Sequence, residues 1–207
     1  MSELLKIHPV NPSPRYITKV VECLENDGVI IYPTDTVYTI GCSLNSPKAL
    51  ERVAQLKGMK LEKADFSILF YDLSQLSEYT TPISTPVYKL LKRTLPGPYT
   101  YILNANNNIP KLFKRKKTTV GIRIPDNAIP VEIVKELGVP IVSSSIHDKD
   151  DLLEYTTDPE LIFERYRKQV DIVIDGGYGD NAASTVIDAT GDMPEVVREG
   201  KGPVDDL

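Results

Sequence analysis

Four consecutive apolar or aromatic residues, Val29-Ile-Ile-Tyr32, stand between Gly28 and Pro33. A run this short, without polar alternation, reads as a strand buried on both faces. Such a strand needs cover above and below, and the neighbouring sequence supplies helices. Residues 14–26 place Ile17, Val20, Val21 and Leu24 on one helical face, with Gly28 as a stop. Ser46-Pro47 has the form of a helix cap followed by proline at the first helical position, and Leu50, Val53 and Ala54 give that helix a buried stripe.

The same grammar continues to the end of the chain. Residues 66–70, 99–103, 120–124 and 140–142 read as strands. Thr85-Pro86 opens a helix carrying Val87, Leu90 and Leu91, and Pro96-Gly97-Pro98 ends it. Pro130 opens a short helix with Ile133, Val134 and Leu137, and Asp158-Pro159 caps another that runs to about residue 169. Three closely spaced strands follow, at 171–174, 184–187 and 195–197. Interleaved helices and strands predict an α/β (α+β) fold, a sheet between helical layers. The close spacing of the last strands makes that sheet mixed. The 207 residues carry no fixed-period repeat and no linker, so one domain over 1–207 is expected, with its core at about 14–200.

With 41% hydrophobic and 26% charged residues the chain has the make-up of a globular protein. No apolar stretch reaches the roughly 20 residues of a membrane span, and no signal peptide is read at the N-terminus. Cys23 and Cys42 are isolated, which fits packing residues in a reduced compartment; a cytoplasmic protein is expected. The net charge of −5 divides unevenly, +5 over residues 1–146 and −10 over 147–207. The densest basic cluster is Lys111, Lys114, Arg115, Lys116 and Lys117. It reads either as a solvated loop or as a surface for phosphate-rich partners.

Chemistry in such folds sits on loops at strand ends. After the 29–32 strand, Pro33 stiffens the turn while Thr34 and Thr36 flank Asp35. Their hydroxyls suit a small polar ligand such as an amino acid, or simply brace the turn. Lys57 ends the helix that starts at Pro47, where it can meet phosphate or carboxylate oxygens or balance the helix dipole. Ser143-Ser-Ser145 with His147 lies past a buried strand, either an anion cradle or a polar turn. Arg123 lies inside an apolar strand, so it needs a structural carboxylate or an anionic ligand; Arg198 in the last strand poses the same choice. No Walker-type phosphate loop is present, and Gly176-Gly177-x-Gly179 lacks the rest of a dinucleotide fingerprint. Two histidines, His8 and His147, exclude a His-rich metal site.

Five segments taken together resemble the YrdC/YciO family in family order: Tyr32-Pro-Thr-Asp-Thr-Val-Tyr-Thr-Ile-Gly41, Pro96-Gly-Pro-Tyr-Thr100, Val120-Gly-Ile-Arg-Ile-Pro125, Ser184-Thr-Val-Ile-Asp188 and Val197-Arg-Glu-Gly200. Ile7-His-Pro9 and Asp171-Ile-Val-Ile-Asp-Gly-Gly177 look closest to the YciO branch. The resemblance implies a YrdC/RibB-like twisted mixed sheet around a positively charged cavity. It implies an L-threonylcarbamoyladenylate synthase-like nucleotidyltransferase, making threonylcarbamoyl-AMP and pyrophosphate from threonine, bicarbonate and ATP, with Mg²⁺ accompanying ATP. A threonylcarbamoyl-transfer complex would then modify tRNA. The alternatives are a protein that binds double-stranded RNA or tRNA, or a nucleotide-binding regulator without turnover. By family match Thr34, Arg123 and Ser184 would hold the threonine or carbamate. Lys57, Thr119, Ser145, His147 and Arg198 would lie along the nucleotide, with Lys57 the catalytic cation. The sequence departs from the family pattern at Met59, where an arginine is expected, at Asp65-Phe-Ser67, at Phe70 in place of a histidine, and at His147 in place of an asparagine.

Overall fold

A computed structural model describes residues 2–60, 66–110, 118–146 and 156–205. Its chain order is β1 (Glu3–Lys6), α1 (Pro14–Glu25), β2 (Ile30–Tyr32), β3 (Thr39–Ser43), α2 (Pro47–Leu56), β4 (Ser67–Leu69), α3 (Leu73–Ser77) and α4 (Thr85–Thr94). There follow β5 (Tyr99–Asn104), β6 (Thr119–Arg123), α5 (Ala128–Leu137), β7 (Ile141–Ser145), α6 (Pro159–Tyr166), β8 (Ile172–Asp175), β9 (Thr185–Asp188) and β10 (Glu195–Arg198). The described strands form one sheet in the order β1-β8-β2-β3-β7-β4-β6-β5-β9-β10. It is mixed, as expected: β1, β8 and β2 run parallel, and so do the pairs β4–β6 and β5–β9. The remaining five pairings are antiparallel.

Two apolar clusters cover the sheet, one on each side. The larger joins Ile31, Ile40, Cys42, Ile68, Val142, Ile122, Tyr101 and Ile187 to the buried stripes of α2, α3, α4 and α6. The smaller joins Leu5, Ile30, Tyr32, Leu69, Ile141, Ile172 and Ile174 to α1 and α5. Ile31 thus points into one layer while Ile30 and Tyr32 point into the other, which is why the 29–32 run lacks alternation. The helix stripes are those the periodicity predicts: Ile17, Val20, Val21 and Leu24 in α1, and Leu50, Val53 and Ala54 in α2.

Several elements differ from the sequence reading. β3 was not expected, because Thr39-Ile-Gly-Cys-Ser43 mixes polar and apolar residues; both sets are buried, the polar ones toward the site described below. β1 was not expected either. It pairs in parallel with β8, and Leu5 and Ile7 enter the core. Helix α5 begins at Ala128 rather than Pro130, since the Asn127 side chain accepts from the Ile129 N–H and sets the start earlier. Ser143, Ser144 and Ser145 lie inside β7 rather than in a turn after it, held by the ladder with β3. Among the described residues no helix is long and apolar enough to cross a membrane.

If β1 belongs to the cooperative core, Leu5→Ala should lower unfolding stability in urea by about 2–5 kcal/mol. Val10→Ala on the exposed turn beyond it should change stability by no more than about 0.5 kcal/mol. A Leu5 effect as small as the Val10 one would show that β1 frays independently.

Candidate functional site

Strand register sorts the polar residues onto one face of the sheet. Directly paired residues share a face, so Thr39 in β3 stands beside Ser145 in β7, and Ser143 beside Ser67 in β4. Ser67 pairs with Gly121 in β6, and alternation along β6 adds Thr119 and Arg123. The row continues through Asn104 and Ile102 in β5 to Asp188 in β9, and Val186 stands beside Arg198 in β10. Helices α1 and α5 cover this face only over β1, β8, β2 and the near ends of β7 and β4. Beyond them the face is floored by hydroxyls, a glycine and arginines.

The Thr34 loop between β2 and β3 borders that floor. Thr34 Oγ1 accepts the Thr36 N–H at 3.1 Å, donates to the Val37 carbonyl at 2.8 Å and lies 3.0 Å from Thr36 Oγ1. These bonds brace the turn from within. Asp35 projects to Arg123, with Oδ1 2.7 Å from the guanidinium and both side chains more than 90% buried. Of the partners expected for Arg123, the structure supplies a carboxylate of the chain itself, Asp35. Burial disfavours the Arg123 charge and the Asp35 carboxylate supports it. The pair is incompletely satisfied: Asp35 Oδ2 and Arg123 Nε are buried with no hydrogen-bond partner among the described residues. Tyr32 Oη is likewise buried without a partner; its interaction with Ser143 falls short of hydrogen-bond geometry.

Ser184, just before β9, shares its hydroxyl with Thr100 Oγ1 at 2.7 Å, and both residues are buried. The Arg198 guanidinium donates to the Ser184 carbonyl at 2.8 Å, and its charge reaches Arg123. Lys57, at the C-terminal cap of α2, donates from Nζ to the Ser145 carbonyl at 2.6 Å. An ammonium carries three N–H donors and this bond uses one. Burial lowers the Lys57 pKa below the ordinary lysine range. Thr119 opens β6 opposite Asn104, two alternations from Arg123 on the same face. Thr34, Arg123, Ser184 and Arg198 thus share one neighbourhood around Asp35, and Lys57, from the helix on the other side of the sheet, makes a second contact at the end of β7.

His147, Asp65 and the cluster Lys111, Lys114, Arg115, Lys116 and Lys117 lie outside the described residues. Sequence reasoning missed Thr100 and Lys201. Lys201 Nζ donates to the Asp35 carbonyl at 2.7 Å and pairs with Asp180 at 2.7 Å. Thr100 ends the family-like segment Pro96–Thr100 and could have been found there, whereas no local pattern marks Lys201, whose partners are far away in sequence. Asp35, flanked by two threonines, was visible as a candidate but not as the partner of Arg123. A separate cavity of about 670 Å³ opens between β1, β8 and the start of α6, lined among others by His8, Tyr16, Asp175, Gly177 and Tyr178. It contains none of the predicted site residues. Its Gly176-Gly177 wall is fastened to the Thr34 loop through Tyr38, whose hydroxyl donates to the Gly177 carbonyl at 2.7 Å and accepts from the Gly176 N–H at 3.2 Å.

Known proteins share this sequence and fold. The Sua5/YciO/YrdC family model, described as telomere recombination, matches residues 22–200. The chain belongs to the Sua5/YciO/YrdC family. It is 40% identical to the Escherichia coli K12 uncharacterized protein YciO over 206 residues, covering 99% of this chain and 98% of that one. The crystal structure of E. coli YciO superposes with a TM-score of 0.90 at 39% identity, over 99% of this chain and 98% of the other. A putative threonylcarbamoyl-AMP synthase of Methanocaldococcus jannaschii is 31% identical over 212 residues, covering 100% and 97% of the two chains. P. abyssi Sua5 complexed with L-threonine has the same fold, with a TM-score of 0.88 at 23% identity, covering 99% of this chain and 59% of its own.

Removing one member of a buried ion pair leaves the other charge uncompensated, at a cost of about 3–5 kcal/mol. Asp35→Ala and Arg123→Met should each lose that much in urea unfolding, while the double variant should lose less than the sum of the two. Additive losses would show that the two side chains are not coupled.

Proposed function

We propose that the polar face is the site of an L-threonylcarbamoyladenylate synthase-like nucleotidyl transfer. The observation that carries this reading is a set of cations near one turn: Arg123 and Arg198 gather around Asp35 and Ser184, and Lys57 meets the end of β7 through the Ser145 carbonyl. Three cations, Arg123, Arg198 and Lys57, against the carboxylates of Asp35 and Asp188 leave the region net positive, which favours an anionic ligand. Buried, unpaired Asp35 Oδ2 and Arg123 Nε suit a small zwitterion, which offers an ammonium to one and a carboxylate to the other. Family members named threonylcarbamoyl-AMP synthase, and a Sua5 structure with L-threonine, supply the candidate substrate.

In this reading threonine sits against the Asp35–Arg123 pair, with the Ser184 and Thr100 hydroxyls alongside. Its amine combines with bicarbonate to form a carbamate, releasing water. A carbamate oxygen attacks the α-phosphorus of ATP and the bond to the β-phosphate oxygen breaks, so that pyrophosphate leaves. Mg²⁺ enters with ATP as part of the substrate. Negative charge grows on phosphate oxygens, and positioned cations stabilise it. Lys57 Nζ, already oriented by the Ser145 carbonyl, serves that charge, while Arg198 and Thr119 border the nucleotide. The product would go to a threonylcarbamoyl-transfer complex acting on tRNA.

Incubation with threonine, bicarbonate, ATP and Mg²⁺ should release pyrophosphate in a threonine-dependent way. Lys57→Met should lower kcat/KM by about a hundredfold, the scale of one lost transition-state donor. Met59→Arg should raise it by restoring a bidentate fork beside Lys57. Absence of threonine-dependent product at high enzyme concentration would sink the proposal.

The direction of the Lys57 shift also sets a pH dependence. The ammonium must be charged to act, and burial lowers its pKa, so activity should fall on an alkaline limb below the ordinary lysine range. Lys57→Arg should move that limb upward, because a guanidinium stays protonated. A limb in the same place in both proteins would assign it to another group.

A further inference from the structure

The C-terminal segment after β10 is stitched into the sheet with unusual closeness. The Gly200 N–H donates to Thr185 Oγ1 at 3.0 Å, and that hydroxyl donates to the Gly202 carbonyl at 2.6 Å. The Lys201 N–H donates to the Ala183 carbonyl at 2.8 Å, and Tyr99 Oη donates to the Pro203 carbonyl at 2.9 Å. A Cβ on Gly200 would come within 2.4 Å of the Ala183 carbonyl oxygen, and one on Gly202 within 2.5 Å of the Tyr99 ring. Only glycine fits at either position, so the two flanks of Lys201 are pressed flat against the sheet. That leaves the Lys201 side chain to cross to the Thr34 loop.

At its end Nζ meets Asp35 from the main-chain side, while Arg123 meets the same residue from the carboxylate side. The next carbonyl is held too: the Asp180 N–H donates to the Thr36 oxygen at 3.0 Å. Asp180 in turn takes the Lys201 ammonium on Oδ2, and that hydrogen bond is the largest influence lowering its carboxyl pKa. An exposed ion pair of this sort contributes little stability on its own. Its geometric effect is larger, because it fixes where the ammonium points.

We propose that Lys201 is a positioning residue for the substrate site, a latch from the C-terminal segment that holds the Asp35 main chain so that the Asp35 carboxylate stays presented to Arg123 and to the bound amino acid. The proposal rests on the synthase reading for the identity of the ligand but not for the latch itself. Lys201 touches neither reacting atom, so its loss should weaken binding of threonine in ground state and transition state alike. That pattern raises KM and leaves kcat in place.

The test compares wild type, Lys201→Met and Lys201→Arg in the full chain. Hydrogen exchange of the 33–38 segment reads the latch without any turnover. It should quicken by about tenfold in Lys201→Met, with exchange in β2, β6 and β7 unchanged, as expected for a local opening. Pyrophosphate release should show a threonine KM raised by about fivefold or more with kcat within about twofold. Lys201→Arg should keep both readings near wild type. Unchanged exchange at 33–38 in Lys201→Met overturns the latch, and so does faster exchange spread over the whole sheet, which would make Lys201 merely structural. A fall in kcat with KM unchanged also overturns it, placing Lys201 in the chemistry instead. A wild-type protein without threonine-dependent pyrophosphate release removes the synthase reading, and the exchange measurement still decides the latch.

Discussion

The buried contact between Arg123 and Asp35 is the constraint on which the site depends. A guanidinium inside a sheet is costly unless a carboxylate meets it there. Arg123 belongs to β6, near the middle of the sheet, whereas Asp35 belongs to the turn that leaves β2, four positions away in strand order. The pairing therefore draws the Thr34 loop across β3, β7 and β4 and roofs part of the polar face. Every other feature of the loop serves that placement. Pro33 stiffens its start, the Thr34 and Thr36 hydroxyls brace its interior, and Tyr38 fastens its end to the Gly176-Gly177 turn.

The uneven distribution of helices explains why a polar face survives in the middle of a well-packed domain. Among the described residues, four helices cover one side of the sheet and two cover the other. Where α1 and α5 reach, the strands bury Ile30, Ile141, Ile172 and Leu69. Where they do not, the same strands turn out serine, threonine and glycine. β7 shows the change within one element: Ile141 packs under the helices, while Ser143 and Ser145, on the same face, lie beyond them. Hydroxyls and a glycine keep the floor low there, and Arg123 from β6 and Arg198 from β10 bring positive charge to it.

Much of this was legible in the sequence, because burial leaves a periodic trace. The stripes of α1, α2 and α4 and the apolar runs of β2, β5 and β8 are all visible as patterns. β3 and the end of β7 were not, because strands that carry polar residues on a buried face break the pattern that would reveal them. β1 escaped as a four-residue edge strand whose membership depends on pairing with β8, some 170 residues later. The same limit applied to the site. Arg123 was recognisable as a charge in need of a partner, but the identity of that partner is a tertiary fact. Lys201 left no local signal at all, since its role comes from two glycines that need close approach and from an acceptor 166 positions away.

The family departures differ in what the structure makes of them. Phe70 is fully buried in the larger apolar cluster, with its ring 5.4 Å from Tyr79 and its main chain bonded to Arg123. Alternation puts Ile68 and Phe70 on the helix-covered side of β4 and Ser67 on the cavity side, so this exchange is tied to packing. Met59 is of another kind. Gly58, at φ 63°, reverses the chain after α2, and Met59 emerges more than a third exposed. An arginine there would disturb no core contact, so folding does not demand the methionine. Phe70 is thus bound to its position by packing, whereas position 59 carries no such constraint and is free to vary without disturbing the Asp35–Arg123 pair or the Thr34 loop. Under the proposed synthase reading, a change at position 59 therefore alters the electrostatic strength of the site and leaves its geometry in place.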